Sequence, residues 1–256
     1  MAFSKLYEDA EPQRINRWLA QSGVCSRREA ETLIAAGMVR IDGQVVTDPG
    51  RKIIAGQILT LDEDTELGGG FTAIIHKPIG IVSAHPDPGQ IPAARLLTRQ
   101  ALWGYGQAPR TDASLAPLGR LDMDSRGLLI LSEDGVLAKA IIGPESLLDK
   151  QYRVRVLGGI DNAKIAQLRF GLELDGKPLK RARVDRLGEQ TFDITLTEGR
   201  NRQIRRMCDL VGLRVMDLYR TRIGPLALGD LPEGRWRMLT AEEREAMIKA
   251  SGPAAA

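Results

Sequence analysis

Apolar positions recur along the chain with two periods, and each period predicts a different kind of element. In RINRWLAQSG, Ile15, Trp18 and Leu19 fall at i, i+3 and i+4 and Gly23 follows as a stop, which predicts a short amphipathic helix. Ser26-Arg27-Arg28-Glu29 then reads as a capping box: the serine oxygen accepts the Glu29 backbone N–H while the glutamate reaches back. Ala30, Leu33 and Ile34 give this second helix one buried stripe, and Gly37 ends it. The next stretch, VRIDGQVV, alternates around Asp42-Gly43, a pair suited to a type I′ hairpin because both central residues need positive φ. These elements define a small N-terminal module over residues 12–62.

Residues 63–70 end in three glycines and are expected to be a linker. Beyond them, strand-like runs TAIIH (72–76), LLILS (128–132), YRVRV (152–156) and TFDITLT (191–197) predict a larger α+β unit over residues 71–245. A helix is expected after the Glu133-Asp-Gly turn, stopping at Gly143-Pro144. In the run after Gly199, Ile204, Met207, Cys208 and Val211 fall at i, i+3, i+4 and i+7, one face of another helix closed by Gly212. The repeated Pro and Gly between Pro78 and Pro117 predict long irregular connections, and residues 246–256, ending SGPAAA, are expected to be disordered.

Composition narrows the function classes. Hydrophobic content of 43% with 27% charged residues is that of an ordinary globular chain, and no apolar run approaches the roughly 20 residues that span a bilayer. The start lacks a basic segment followed by an apolar one, so a cytoplasmic, membrane-free protein is the expectation. Two cysteines and two histidines, with no Cys-x-x-Cys, offer neither a disulfide framework nor a zinc cluster. Net charge is only +3, but Gly199–Arg222 holds seven arginines against two aspartates. That excess is most simply a surface for phosphates.

Four of those arginines, Arg200, Arg202, Arg205 and Arg206, crowd the N-terminal end of the predicted helix. The helix dipole already makes that end positive, so each arginine costs a few tenths of a kcal/mol to about 1 unless an anion is near. A phosphate backbone or a buried carboxylate is expected to complete the site. PLGRLDMDSRGLLI supplies candidate carboxylates: Asp122 and Asp124 could hold a metal, close a turn or act in chemistry. Asp124-Ser-Arg-Gly has turn composition and feeds LLILS, leaving Asp122 just before the turn. A metal reading needs a third ligand, and no phosphate-loop motif accompanies the pair.

The capped Arg-Arg helix followed by V-x-I-D-G-x-x-V resembles the S4 RNA-binding domain. This implies RNA-backbone contacts by Arg27, Arg28 and Lys52. GRLD followed by SRGLLILSEDG resembles the catalytic motif of the pseudouridine synthases of the RsuA/RluB/RluE/RluF family. HKPIG (76–80), KQYRV (150–154), EGRNRQIRRM (198–207) and LYRTRIGPLALGDLPEGRWRML (218–239) match the same family. NRQIRRMC and RTRI resemble the RluF-like members most.

The resemblance implies an S4-like αα-hairpin module plus a catalytic domain with a mixed, mainly antiparallel sheet flanked by helices. It also implies a cofactor-free isomerisation of uridine in ribosomal RNA or a ribosomal assembly intermediate. The large-subunit RNA is the expected target, small-subunit RNA or tRNA the alternative, and a noncatalytic S4-type RNA-binding factor the reading from another class. Position by position, Asp122 is the implied nucleophile, Tyr152 the aromatic under the uracil, Arg205 the basic partner of Asp122, and Arg120 the residue that fills the space of the extruded base. Arg200, Asn201, Arg202, Gln203 and Arg206 are the further RNA-contact candidates. A monomer is the expected state.

Overall fold

A computed structural model describes residues 3–22, 24–25, 27–62, 70–111 and 113–252. Gly23, the expected helix stop, Ser26, the expected cap, all but Gly70 of the expected linker, and residues 253–256 of the expected tail lie outside the described residues. The chain divides into two units, one of residues 1–70 together with Asp134–Ala138, the other of residues 71–133 and 139–256.

In the first unit, the helices Ile15–Gln21 and Arg27–Ala35 form where the apolar spacing places them. Ile15, Trp18, Leu19, Ala30 and Ile34 turn into a core shared with Val39, Ile41, Ile53, Leu59 and Leu61. Burying each large aliphatic side chain there contributes about 1.5–3 kcal/mol, most of what a module this small can draw on. The hairpin closes through Asp42 (φ 50°) and Gly43 (φ 80°), with Ile41 facing Gln44 across the two-residue loop. Ser4–Leu6 adds an outer strand on Ile58–Leu61, and Tyr7 is buried, so the unit begins before the expected start at residue 12.

The second unit is built on a mixed, mainly antiparallel sheet. Its main path runs Arg183–Arg186, Thr191–Leu196, Lys150–Leu157, Arg214–Ile223, Arg126–Ser132, Thr72–Lys77 and Trp236–Met238. The one parallel junction on this path pairs Arg126 with Tyr219 and Gly127 with Arg220. Gly127 has φ 111°, and a Cβ there would lie 2.3 Å from the Arg220 carbonyl oxygen, so only glycine lets these strands meet.

Helices Asn162–Arg169 and Gln203–Leu210 pack on one half of the sheet, where Ile204, Met207, Cys208 and Val211 are buried as their spacing predicts. Around the other half, Leu97, Leu121, Leu129, Leu131 and Trp236 form a second cluster. Tyr152 packs against both clusters and marks the seam between them.

The C-terminal region differs from expectation. Residues 241–251 form a helix, so disorder does not begin at 246. Thr240 and Glu243 make a reciprocal capping box, and Met247 is fully buried.

Candidate active site

Asp122 opens a tight turn whose closing hydrogen bond runs from the Ser125 N–H to the Asp122 carbonyl at 3.1 Å. The turn therefore begins at Asp122 and contains both carboxylates, one residue pair earlier than its composition suggested. Its backbone is gripped on both sides of Asp122 by the segment 80–83. The Gly80 N–H donates to the Met123 carbonyl at 2.8 Å. Ser83 Oγ donates to the Leu121 carbonyl at 2.7 Å and accepts the Leu121 N–H at 2.9 Å. Residues on both sides of Asp122 are thus pinned while its carboxylate stays 38% exposed.

Lys77 secures the base of that segment. It is fully enclosed and donates to the carbonyls of Pro78 at 2.8 Å and Ile81 at 2.7 Å. Burial pushes its pKa down to about 8, against the pull of Asp124 and Asp122.

The arginines at the start of Gln203–Leu210 take partners inside the protein. Arg202, in a left-handed conformation at φ 47°, precedes the helix and bridges both acids. Its Nη1 lies 3.3 Å from Asp122 Oδ2 and 3.2 Å from Asp124 Oδ1, and its Nη2 lies 2.9 Å from Asp124 Oδ2. Burial opposes ionisation of Asp124, but the Arg202 hydrogen bond and the charges of Arg205 and Arg202 outweigh it and hold its pKa below the usual carboxylate value.

Arg205 does not pair with Asp122. Its Nη2 donates to the Asp124 carbonyl at 2.8 Å and to Ser125 Oγ at 3.3 Å, and lies 3.2 Å from Asp124 Oδ1. The expected partner is therefore corrected to Arg202: the extra left-handed residue before the helix carries the Arg202 guanidinium out over the turn, while Arg205, one helical step in, meets the turn from beneath.

Three other expected RNA contacts are committed elsewhere. Arg200 donates to the carbonyls of Leu174, Lys177 and Pro178 at 3.0, 3.1 and 2.6 Å. Gln203 is buried, accepting the Arg200 N–H and donating to Glu198 at 2.9 and 3.0 Å. Arg206 makes a two-pronged pair with Asp175 at 3.0 and 2.6 Å. The anions that the helix start required are thus largely protein carboxylates and carbonyls. By contrast, Arg120 and Asn201 are exposed at the cleft, and Arg27, Arg28 and Lys52 are exposed on the first unit.

The cleft beside Asp122 encloses about 550 Å³ and is lined by Arg120, Tyr152, Asn201 and Arg202, with Lys150 and Arg220. Arg220, only 1% exposed, donates to the carbonyls of Leu128 at 2.7 Å, Gly119 at 2.9 Å and Arg120 at 3.5 Å. It ties the chain leading into Asp122 to the sheet. Sequence reasoning passed over Arg220, Ser83 and Lys150; the motifs around Arg220 and Lys150 were visible, but no residue pattern marks a buried guanidinium that serves carbonyls.

Among the described residues no group of three or more His, Cys, Asp or Glu side chains is placed to hold a metal ion. The two aspartates share a guanidinium instead. Both cysteines are buried, and burial pushes each thiol up to about 12.

Residues 72–210 match the RNA pseudouridylate synthase family, and residues 13–59 match the S4 domain. Dual-specificity RNA pseudouridine synthase RluF of Salmonella typhi is 33% identical over 234 residues, covering 90% of this chain and 76% of its own. Ribosomal large subunit pseudouridine synthase B of Escherichia coli K12 is 34% identical over 242 residues, covering 89% and 79%.

The chain belongs to the RNA pseudouridine synthases. Within them it joins the RsuA/RluB/RluF group, whose N-terminal S4 domain it carries. A crystal structure of a pseudouridylate synthase superposes on this synthase with a TM-score of 0.63 at 27% identity, over 91% of this chain and 99% of that one. No helix among the described residues of the synthase is long and apolar enough to cross a membrane.

Proposed function

We propose that the synthase converts a uridine of large-subunit ribosomal RNA to pseudouridine, with Asp122 as the reacting carboxylate. The observation that carries this reading is the state of the cleft's acids. Glu198 is spent, accepting the Lys180 N–H and Gln203 Nε2 at 3.0 Å each and lying 3.5 Å from Arg200. Asp122 is fixed through its backbone, touched on one oxygen by Arg202, and open to the cleft. A carboxylate placed this way can do nucleophilic or charge-stabilising work at the sugar or the uracil.

In this reading the target base leaves its stack at a cost of a few kcal/mol. Arg120, exposed at the cleft, occupies the vacated space, and the Tyr152 face receives the uracil. The C1′–N1 bond breaks, the uracil rotates, a C1′–C5 bond forms, and the hydrogen at C5 is lost. Arg202 holds Asp122, and Arg205 acts one step away by locking the turn through Asp124 and Ser125. Arg27, Arg28 and Lys52 hold the RNA backbone. The similarity to a synthase named for large-subunit ribosomal RNA supports the target, and the similarity to a dual-specificity synthase puts a second RNA class in the same assay.

The test is release of tritium from RNA labelled at uracil C5. Large-subunit transcripts are expected to release it with the wild-type protein and not with Asp122→Asn. Release from small-subunit RNA or tRNA alone would move the target, and no release from any of the three would defeat the reading. Mapping pseudouridines in ribosomal RNA from cells lacking the protein then locates the nucleotide.

A further inference from the structure

Lys150 stands in the cleft with no described role. It begins the Lys150–Leu157 strand, paired regularly with Thr191–Leu196 so that Lys150 faces Leu196 and Tyr152 faces Ile194. Side chains two apart on a strand share a face and sit about 7 Å from each other. Lys150 and Tyr152 therefore line the cleft side by side. Lys150 is half-buried, and among the described residues its ammonium has no hydrogen-bond or ion-pair partner.

The surrounding charges make this costly. Asp149, the adjacent acid, is held by both prongs of Arg222 at 2.8 and 2.9 Å. Arg220 approaches instead: a side-chain atom added at Gly119 would lie 3.7 Å from Lys150 Cε and 3.8 Å from Arg220 Nη1. Burial, and then the charge of Arg220, push the lysine's pKa below its ordinary value. Arg220 spends its donors on three carbonyls and contributes only its field. A half-buried, unpartnered ammonium beside a like charge is unfavourable by itself, and an electron-rich ligand would relieve it.

We propose that Lys150 binds the extruded uracil: its ammonium donates a hydrogen bond to an exocyclic carbonyl oxygen of the ring resting on Tyr152. This rests on the proposed function. When C1′–N1 breaks, its electron pair goes to the uracil nitrogen and spreads onto the carbonyl oxygens, and Lys150 stabilises that charge while keeping its proton. The pair is returned when C5 bonds to C1′, the C5 proton leaves to solvent, and N1 takes up a proton. A donor aimed at charge that develops only in the transition state acts on the chemical step more than on binding. A phosphate contact would do the reverse, because the phosphate is charged from the start.

The experiment compares wild type, Lys150→Met and Lys150→Arg in single-turnover assays on a saturating large-subunit transcript, with RNA affinity and thermal midpoint measured in parallel. Lys150→Met is expected to slow the chemical step about 100-fold, the usual loss for one donor to a developing anion. RNA affinity should stay within about threefold, and the midpoint should be unchanged or higher because an unpaired, partly desolvated charge is gone. Lys150→Arg should recover part of the rate.

An unchanged rate for Lys150→Met overturns the proposal. Weaker, less salt-dependent binding at an unchanged rate makes Lys150 a phosphate contact and overturns it too. A lowered midpoint with no rescue by arginine makes the ammonium structural. Inactive wild type on every RNA would defeat the proposed function instead, a result distinct from active wild type with an indifferent Lys150.

Discussion

Arginines in the two units are put to opposite uses. On the S4 unit, the side chains of Arg27, Arg28 and Lys52 are exposed with no protein partner among the described residues. In the catalytic unit, Arg200, Arg202, Arg205, Arg206 and Arg220 are bound to carbonyls or carboxylates of the protein itself. Both sets look alike as basic stretches. A guanidinium already engaged by the fold has less left to offer a phosphate, whereas an unpartnered exposed one retains its donors and releases counterions on binding. Charge density in a sequence therefore locates arginines without telling whether they build a site or contact its ligand.

The sharpest probe of the contrast is loss of chemistry. Asp122→Asn should abolish tritium release while leaving RNA affinity intact; retained release would remove Asp122 from the mechanism. Next come the arginines that build the site. Arg202→Met and Arg205→Met should each lower the single-turnover rate by tens-fold or more, on the order of 2 kcal/mol, as loss of one charged hydrogen-bond partner implies. Because both act on Asp124, the double variant should lose less than the product of the single effects. Fully multiplicative losses would show that they work separately.

The free cations should respond differently. Arg27→Ala, Arg28→Ala and Lys52→Ala together should weaken RNA binding and flatten its salt dependence by roughly 0.7–0.9 in logarithmic slope per lost phosphate contact. The rate with bound RNA should not change. An unaltered salt slope would refute the S4 unit's assigned role. Arg206→Ala should have the smallest effect: its pair with Asp175 is solvent-facing, worth about 1 kcal/mol or less, so a small fall in thermal midpoint and unaltered RNA affinity are expected. Lost affinity there would return Arg206 to the RNA surface.

Elements with strong periodicity were legible. Ile204, Met207, Cys208 and Val211 marked their helix, and Asp42-Gly43 marked its hairpin. The motif around Asp122 was legible through resemblance. Partner choice was not, because whether Arg202 or Arg205 reaches Asp122 depends on a left-handed residue and on packing across some eighty positions. The long strand Arg214–Ile223 was also missed, since Arg220 is buried where an apolar residue would complete the alternation. The final helix was hidden for a simpler reason: Thr240-Ala-Glu-Glu243 is a visible capping box, but the small-residue tail after it outweighed the signal.

The pinning of Asp122 has a practical consequence. Leu121 and Met123 are held by Ser83 and Gly80 through main-chain atoms, independently of the carboxylate between them. Removing that carboxylate's charge leaves those fastenings in place, so Asp122→Asn should keep the native contour of the cleft without the ability to turn over. Such a protein is a natural bait: cross-linked inside cells, it would hold the RNA it was built to modify, and sequencing the captured strand would reveal the substrate directly.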